Sequence, residues 1–139
     1  MIFYLVNVNY ERQTGEDNPG KVKESYLVPA VSCADAERIV LDEIKPFIFG
    51  ECETPQIKRV KFFEVFSHNE LGGSYWYKAK VDMIIVDGDK EIRKPVDILV
   101  QGEKIIDAIG YCERCLLGYD CDITSIKRTS IIDILKPEA

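Results

Sequence analysis

Residues 57–66 read IKRVKFFEVF and residues 126–135 read IKRTSIIDIL. The shared tripeptide, Ile57-Lys58-Arg59 and Ile126-Lys127-Arg128, is followed each time by an apolar, strand-like run. The likeness spreads outwards from there. Leu27-Val28 matches Leu99-Val100, Asp35-Ala36 matches Asp107-Ala108, and the Tyr4/Val8 spacing recurs as Tyr77/Val81. A chain that states one pattern twice is expected to be a duplicated unit with approximate two-fold symmetry. We therefore expect a single domain, 1–139, made of two repeats at about 1–67 and 74–136.

Each repeat carries the same order of elements. Ile2–Tyr10 alternates Tyr4, Val6, Val8 and Tyr10 against Asn7 and Asn9, the period of a half-buried strand. The polar stretch Glu11–Gly20 reads as a hairpin loop, and Lys21–Pro29 as the returning strand. Ser32 is placed to cap a helix whose first turn holds Asp35 and Glu37. Its apolar stripe is Ala36, Ile39, Val40, Ile44 and Phe47, and Pro46 and Gly50 mark its end. Gln56–Phe66 is the third strand, and Ser67–Ser74 links the repeats through a Gly72-Gly73 hinge.

In the second half, Tyr75–Val86 and Glu91–Gln101 form strands around an Asp87-Gly88 hairpin turn. Glu103–Leu117 reads as a helix with Ile105, Ile106, Ile109, Cys112 and Leu116 inward, weakened at Gly110. Ile123–Leu135 is the last strand, and Pro137 ends the order. The expected architecture is α+β and two-layer. Duplicated ββαβ units form one mixed six-stranded sheet with two helices on one face, each strand-helix-strand crossover being right-handed.

With 139 residues, 46% hydrophobic and 30% charged, the chain has the composition of a soluble globular domain that needs no staples. MIFYLVNVNY lacks the basic and small-residue features of a signal peptide, and no apolar run approaches a membrane span. A cytoplasmic location and no membrane partner are the expectation. Five cysteines without a secretion signal suggest reduced thiols.

The net charge of −6 disfavours nucleic acid on average, but the charge is segregated. By the spans above, with Lys90 counted at its strand edge, the strands sum to +6 and the helices and loops to −12. If helices cover one sheet face, the other is basic. Trp76, Lys78 and Lys80 share one side of their strand, and Phe3 is the repeat-equivalent of Trp76. Cations that track phosphates and rings that stack on bases are the means of many single-strand binders. The candidate nucleic-acid-binding residues are Lys58, Arg59, Lys61, Trp76, Lys78, Lys80, Lys127 and Arg128. Lysines and arginines on a solvated sheet are also ordinary edge protection, and Trp76 alone is better explained by burial at a core margin or a dimer interface. The competing expectation is a homodimeric or protein-interaction module.

No enzyme is expected. His68, the only histidine, sits in a polar loop beside Asn69 and Glu70, without a nucleophile or orienting partner. No phosphate-binding glycine loop is present. A zinc site would have to draw on Cys112, Cys115 and Cys121 with Cys52 or Cys33. The second CxxC is missing, and Cys112 and Cys115 at helical spacing equally line a core, so neither metal nor cofactor is expected. The pairs Glu51/Glu53 and Asp120/Asp122 flank equivalent loops and read as acidic loops rather than a cation site.

Tyr26-Leu27-Val28, Ala34-Asp35-Ala36-Glu37, Pro46-Phe47-Ile48-x-Gly50-Glu51, Ile57-Lys58-Arg59 and Trp76-Tyr77-Lys78-x-Lys80 together resemble a family of small uncharacterised proteins from Bacteroidetes and their phages. The resemblance covers nearly the whole chain. It implies an accessory role, in replication or in blocking a host defence, and brings no catalytic residues or metal ligands.

Overall fold

Strand alternation and helical spacing place most elements where the chain forms them. The computed structural model describes residues 2–12, 20–67 and 75–135. The hairpin loop at 13–19, the linker at 68–74 with His68 and the Gly72-Gly73 hinge, and Pro137 lie outside the described residues. The order is β1 (Ile2–Arg12), β2 (Gly20–Val28), α1 (Cys33–Ile44), a single 3-10 turn (Lys45–Phe47), β3 (Ile48–Lys61), β4 (Glu64–Phe66), β5 (Tyr75–Asp87), β6 (Lys90–Gly102), α2 (Ile105–Cys115), β7 (Cys121–Arg128) and β8 (Ile131–Ile134).

One mixed six-stranded sheet does not form. The strands make two separate four-stranded sheets, β3-β1-β2-β8 and β4-β6-β5-β7. The fold remains α+β, with one helix per sheet rather than two helices on a common face. Two physical reasons account for the difference. Each long third strand expected from the sequence is broken, at Phe62-Phe63 and at Thr129-Ser130, and the piece after the break joins the sheet its predecessor does not belong to. With a strand taken on each side, neither hairpin keeps a free edge by which two hairpins could join into one sheet.

The chain accordingly divides into a contiguous unit, Lys61–Thr129, and a split unit, Ile2–Val60 completed by the segment from Ser130. In the split unit β1 and β2 are antiparallel, from Tyr4 opposite Val28 to Arg12 opposite Gly20. β8 pairs parallel with β2, and the Leu135 amide donates to the Leu27 carbonyl at 2.9 Å. Helix α1 is capped as expected, the Ser32 hydroxyl accepting from the Asp35 amide at 3.1 Å. It buries Ala36, Val40 and Ile44 against Val6, Val8, Tyr10, Tyr26, Val28 and Leu135. Phe47 is 47% exposed, because the helix ends before it.

In the contiguous unit β5 and β6 form an unbroken antiparallel ladder from Tyr75 opposite Gly102 to Asp87 opposite Lys90. The two-residue loop is Gly88-Asp89, one position later than the sequence suggested, and Gly88 takes φ 64°. Only the first loop residue is left-handed, as in a type II′ turn. β7 lies antiparallel to β5, and β4 parallel to β6. Helix α2 buries Ala108, Cys112 and Leu116 against Tyr77, Ala79, Val81, Ile98 and Val100. Ile105 and Ile106, expected inward, are 46% and 71% exposed. The helix starts at Ile105 rather than Glu103, and its buried stripe of every fourth residue begins at Ala108. Gly102 admits this packing: a Cβ there would lie 2.9 Å from the Ala108 Cβ.

The distal part of β6 shows how an edge is kept single. The Phe63 amide donates to the Asp97 carbonyl at 2.8 Å, so Asp97 presents its backbone away from β5. By alternation Pro95, Arg93 and Glu91 do the same. β4 covers this edge only over Ile98–Val100. Proline therefore stands at an outward position of the uncovered stretch and removes a donor, with charged neighbours on either side. Pro95→Val restores that donor. It is expected to give concentration-dependent association at micromolar protein, read by light scattering, and a variant as dispersed as the parent protein would reject this role.

Candidate nucleic-acid interface

Strand alternation decides which expected residues gather. In the contiguous unit Tyr77, Ala79, Val81 and Ile126 pack with α2. Their neighbours Trp76, Lys78, Lys80 and Lys127 therefore point to the opposite side of the sheet. Lys78 stands directly opposite Lys127, and Lys80 opposite both Ser125 and Asp97. Burial falls along the row: Trp76 and Leu99 are buried, Lys78 is half-buried, and Lys80 and Lys127 are exposed. Trp76 is 4% exposed, and its carbonyl accepts from the Thr129 amide and hydroxyl, both at 2.8 Å. Phe3 is 7% exposed. Neither ring presents a face to a base.

Arg128 follows Lys127 and so returns to the helix side of the sheet. Its guanidinium lies over the Tyr75 ring, 3.4 Å from the centroid, and Tyr75 is 44% exposed. A cation stacked on an exposed ring at the strand end is a second platform suited to a base and a phosphate. None of Lys78, Lys80, Lys127 and Arg128 takes part in an ion pair among the described residues.

Lys58, Arg59 and Lys61 lie on β3, an edge strand of the other sheet. Ile57 joins the α1 core, so Lys58 points to the far face, while Arg59 and Lys61 fall on the helix side. The sequence suggested two Lys-Arg clusters on a common basic face. The fold divides every such pair across its strand and sets the two pairs on different sheets.

Further along the contiguous unit's far face the sign of the charge reverses. Arg93 bonds to Asp122 at 2.8 Å and approaches Glu91 at 3.7 Å and Asp82 at 3.8 Å. Asp82 and Asp122 are direct cross-strand neighbours. The Asp122 hydrogen bond and the charges of Asp122, Glu91 and Asp82 raise the Arg93 pKa above its ordinary value. This arginine is committed to holding like-charged carboxylates together and is not available to a phosphate.

The split unit contains a cluster that the pattern of charged residues did not reveal. Tyr10 and Tyr26 both donate to the Glu24 carboxylate, the latter at 3.2 Å, and Arg12 stands 3.7 Å from it. Arg12 also lies over the Phe47 ring, at 4.7 Å. Burial, then the hydrogen bond and charge of Glu24, push the Tyr10 hydroxyl up to about 12. Tyr26 is raised further, again first by burial and then by Glu24. The signal was present: Val22, Glu24, Tyr26 and Val28 share one side of β2, so a carboxylate sits among inward-facing residues. A cleft of about 300 Å³ opens nearby between Tyr10, Lys21, Lys23, Glu51 and Glu53. Among the described residues no buried side-chain nitrogen or oxygen lacks a partner, which makes the Glu24 cluster a closed structural network.

Cys115 and Cys121 lie near Cys112 in the contiguous unit. Cys112 is wholly buried in the α2 core, where burial pushes its thiol up to about 11. Cys115 and Cys121 are half-buried, and Cys52 belongs to the split unit. Among the described residues no three histidine, cysteine or acidic side chains are grouped to hold a metal ion. No described helix is long and apolar enough to cross a membrane.

A model of a protein family described as a domain of unknown function matches residues 2–138. No curated protein and no solved structure matches the chain.

Proposed function

From a chain that belongs to the DUF4494 family, a domain of unknown function, we propose a non-enzymatic binding module that takes single-stranded nucleic acid on the far face of its contiguous unit. The observation that carries this reading is the cross-strand pair Lys78 opposite Lys127, with Lys80 two residues on. Like charges placed directly opposite destabilise a sheet, and an anionic strand laid over them converts that cost into attraction. Arg128 stacked on Tyr75 lies on the helix side of the same strands and stays outside this face. The reading thus keeps Lys78, Lys80 and Lys127, and drops Trp76 as a stacking residue and Arg128 as a contact on this face.

The resemblance to small Bacteroidetes and phage proteins adds an accessory role, in replication or against a host defence, to this proposal. The recurrence of the hairpin, helix and flanking-strand order in both units supports an internal duplication behind it.

Anisotropy of a labelled oligonucleotide at low and at physiological salt tests the interface. Lys127→Glu is expected to weaken binding at least tenfold at low salt, since it replaces a phosphate contact with repulsion, whereas Lys58→Glu on the other sheet stays within about twofold. Equal effects of both substitutions, or binding without salt dependence, reject the assignment.

A second reading rests on one observation. The same face carries Lys78, Lys80, Lys127 and Arg93 against Asp82, Glu91, Asp97 and Asp122, a balance of opposite charges separated along the strands. Such a face is complementary to itself about a two-fold axis, which suits a homodimer. A dimer in light scattering at low salt that dissociates at high salt, together with no oligonucleotide binding, favours it.

A further inference from the structure

The cationic part of this face is short and has a wall. Lys78 and Lys80 are two residues apart on β5, about 7 Å along the strand, and Lys127 is one strand over, about 5 Å away. Two residues beyond Lys80 comes Asp82, with Asp122 beside it on β7 and Glu91 bridged through Arg93. Asp97 faces Lys80 on the other side. A strand of phosphates that crosses Lys78, Lys80 and Lys127 therefore runs next into carboxylates that, among the described residues, pair with Arg93 alone. In the other direction the row meets the buried Trp76 and Leu99.

Resting on the reading above, we propose that the site is a terminus-sized one that engages only three or four phosphates of a single strand, and that Asp82 and Asp122 end the track. The ligand class is then a short oligonucleotide or the free end of a longer strand, not a coated lattice. The count follows from the cations available. Three lysines give a salt slope of roughly −2 for single-stranded ligands. A channel built for a long strand has more cations in line and a correspondingly steeper slope.

The test is a length series of labelled oligo-dT, from 2 to 12 nucleotides, titrated with the whole protein at several salt concentrations. Affinity is expected to rise up to about 4 nucleotides and then stay level within about twofold, with a slope of about −2. The double variant Asp82→Asn/Asp122→Asn removes the wall. It is expected to tighten the 12-mer several-fold and leave the 3-mer unchanged. Circular dichroism shows whether that variant is folded, and the wild-type length series decides independently of it. An affinity that keeps climbing beyond 6 nucleotides, or a slope steeper than about −4, overturns the short site while leaving the interface in place. No binding of any length at low salt removes the interface reading itself, and the short site with it.

Discussion

A chain ended after Thr129 is expected to lose the structure of residues 2–60, although nothing in that segment has been touched. The missing piece is β8, which lies parallel on β2 and whose following residue, Leu135, reaches the α1 core. Ile131 and Leu135 are 9% and 7% exposed. Their removal forfeits about 1.5–3 kcal/mol each of apolar burial. It also strands the Leu27 carbonyl, which accepts from the Leu135 amide, and uncovers Ser25, a buried polar side chain that keeps its bond to Asn7 at 2.7 Å but loses Ser130 at 3.2 Å. A loss of about 3–6 kcal/mol is comparable with the whole stability of an ordinary domain. Amide exchange followed by mass spectrometry is expected to show protection collapsing at Tyr26–Val28, with aggregation through the bared β2 edge. A synthetic peptide spanning residues 129–139, added in trans, is expected to restore it. Undiminished protection in the truncated chain would mean that the parallel pairing contributes little.

Glu24→Ala is expected to cost about 3 kcal/mol, because it leaves two buried tyrosine hydroxyls without their acceptor and Arg12 without its partner. That corresponds to a fall in Tm of about 10 °C. Glu24→Gln keeps an acceptor and is expected to cost less. The cluster also sets an alkaline limit. Tyr10 titrates near 12 in the folded chain and near its ordinary value of 10 when unfolded, so the folded state holds its proton more tightly. The stability this represents is complete below pH 10 and is lost as pH rises towards 12, and the raised Tyr26 acts in the same direction. Urea unfolding between pH 8 and 11.5 is expected to show a decline that Glu24→Ala flattens. Unfolding of Glu24→Ala within about 0.5 kcal/mol of the parent protein would contradict the role given to the network.

What could be read from the sequence was what local periodicity encodes. Alternation fixed β1, β2, β5 and β6 to within a residue or two, and Ser32 declared the start of α1 by its capping chemistry. The equivalence of Leu27-Val28 and Leu99-Val100 recurs in the registers, where Tyr4 faces Val28 and Tyr77 faces Val100. The destination of a short strand has no such signature. Phe62-Phe63 and Thr129-Ser130 carry no glycine or proline, so each break passed as one continuous strand, and the sheets β4 and β8 join depend on edges formed elsewhere in the chain. The candidate interface was legible in part for the same reason. Alternation put Lys78, Lys80 and Trp76 on one side, but only the folded chain distinguishes the buried end of that row from the exposed one. Arg93 adds to the strands' positive sum, but the folded chain sets three carboxylates beside it.

The late arrival of β8 also orders events on the ribosome. Residues 2–60 are made before the contiguous unit, yet the strand that closes their sheet follows only after the whole of Lys61–Thr129. The nascent chain must therefore carry the β2 edge unprotected while Lys61–Thr129, which holds all four of its strands in one stretch, is already able to complete itself. Of the two units, the one begun first is the one completed last.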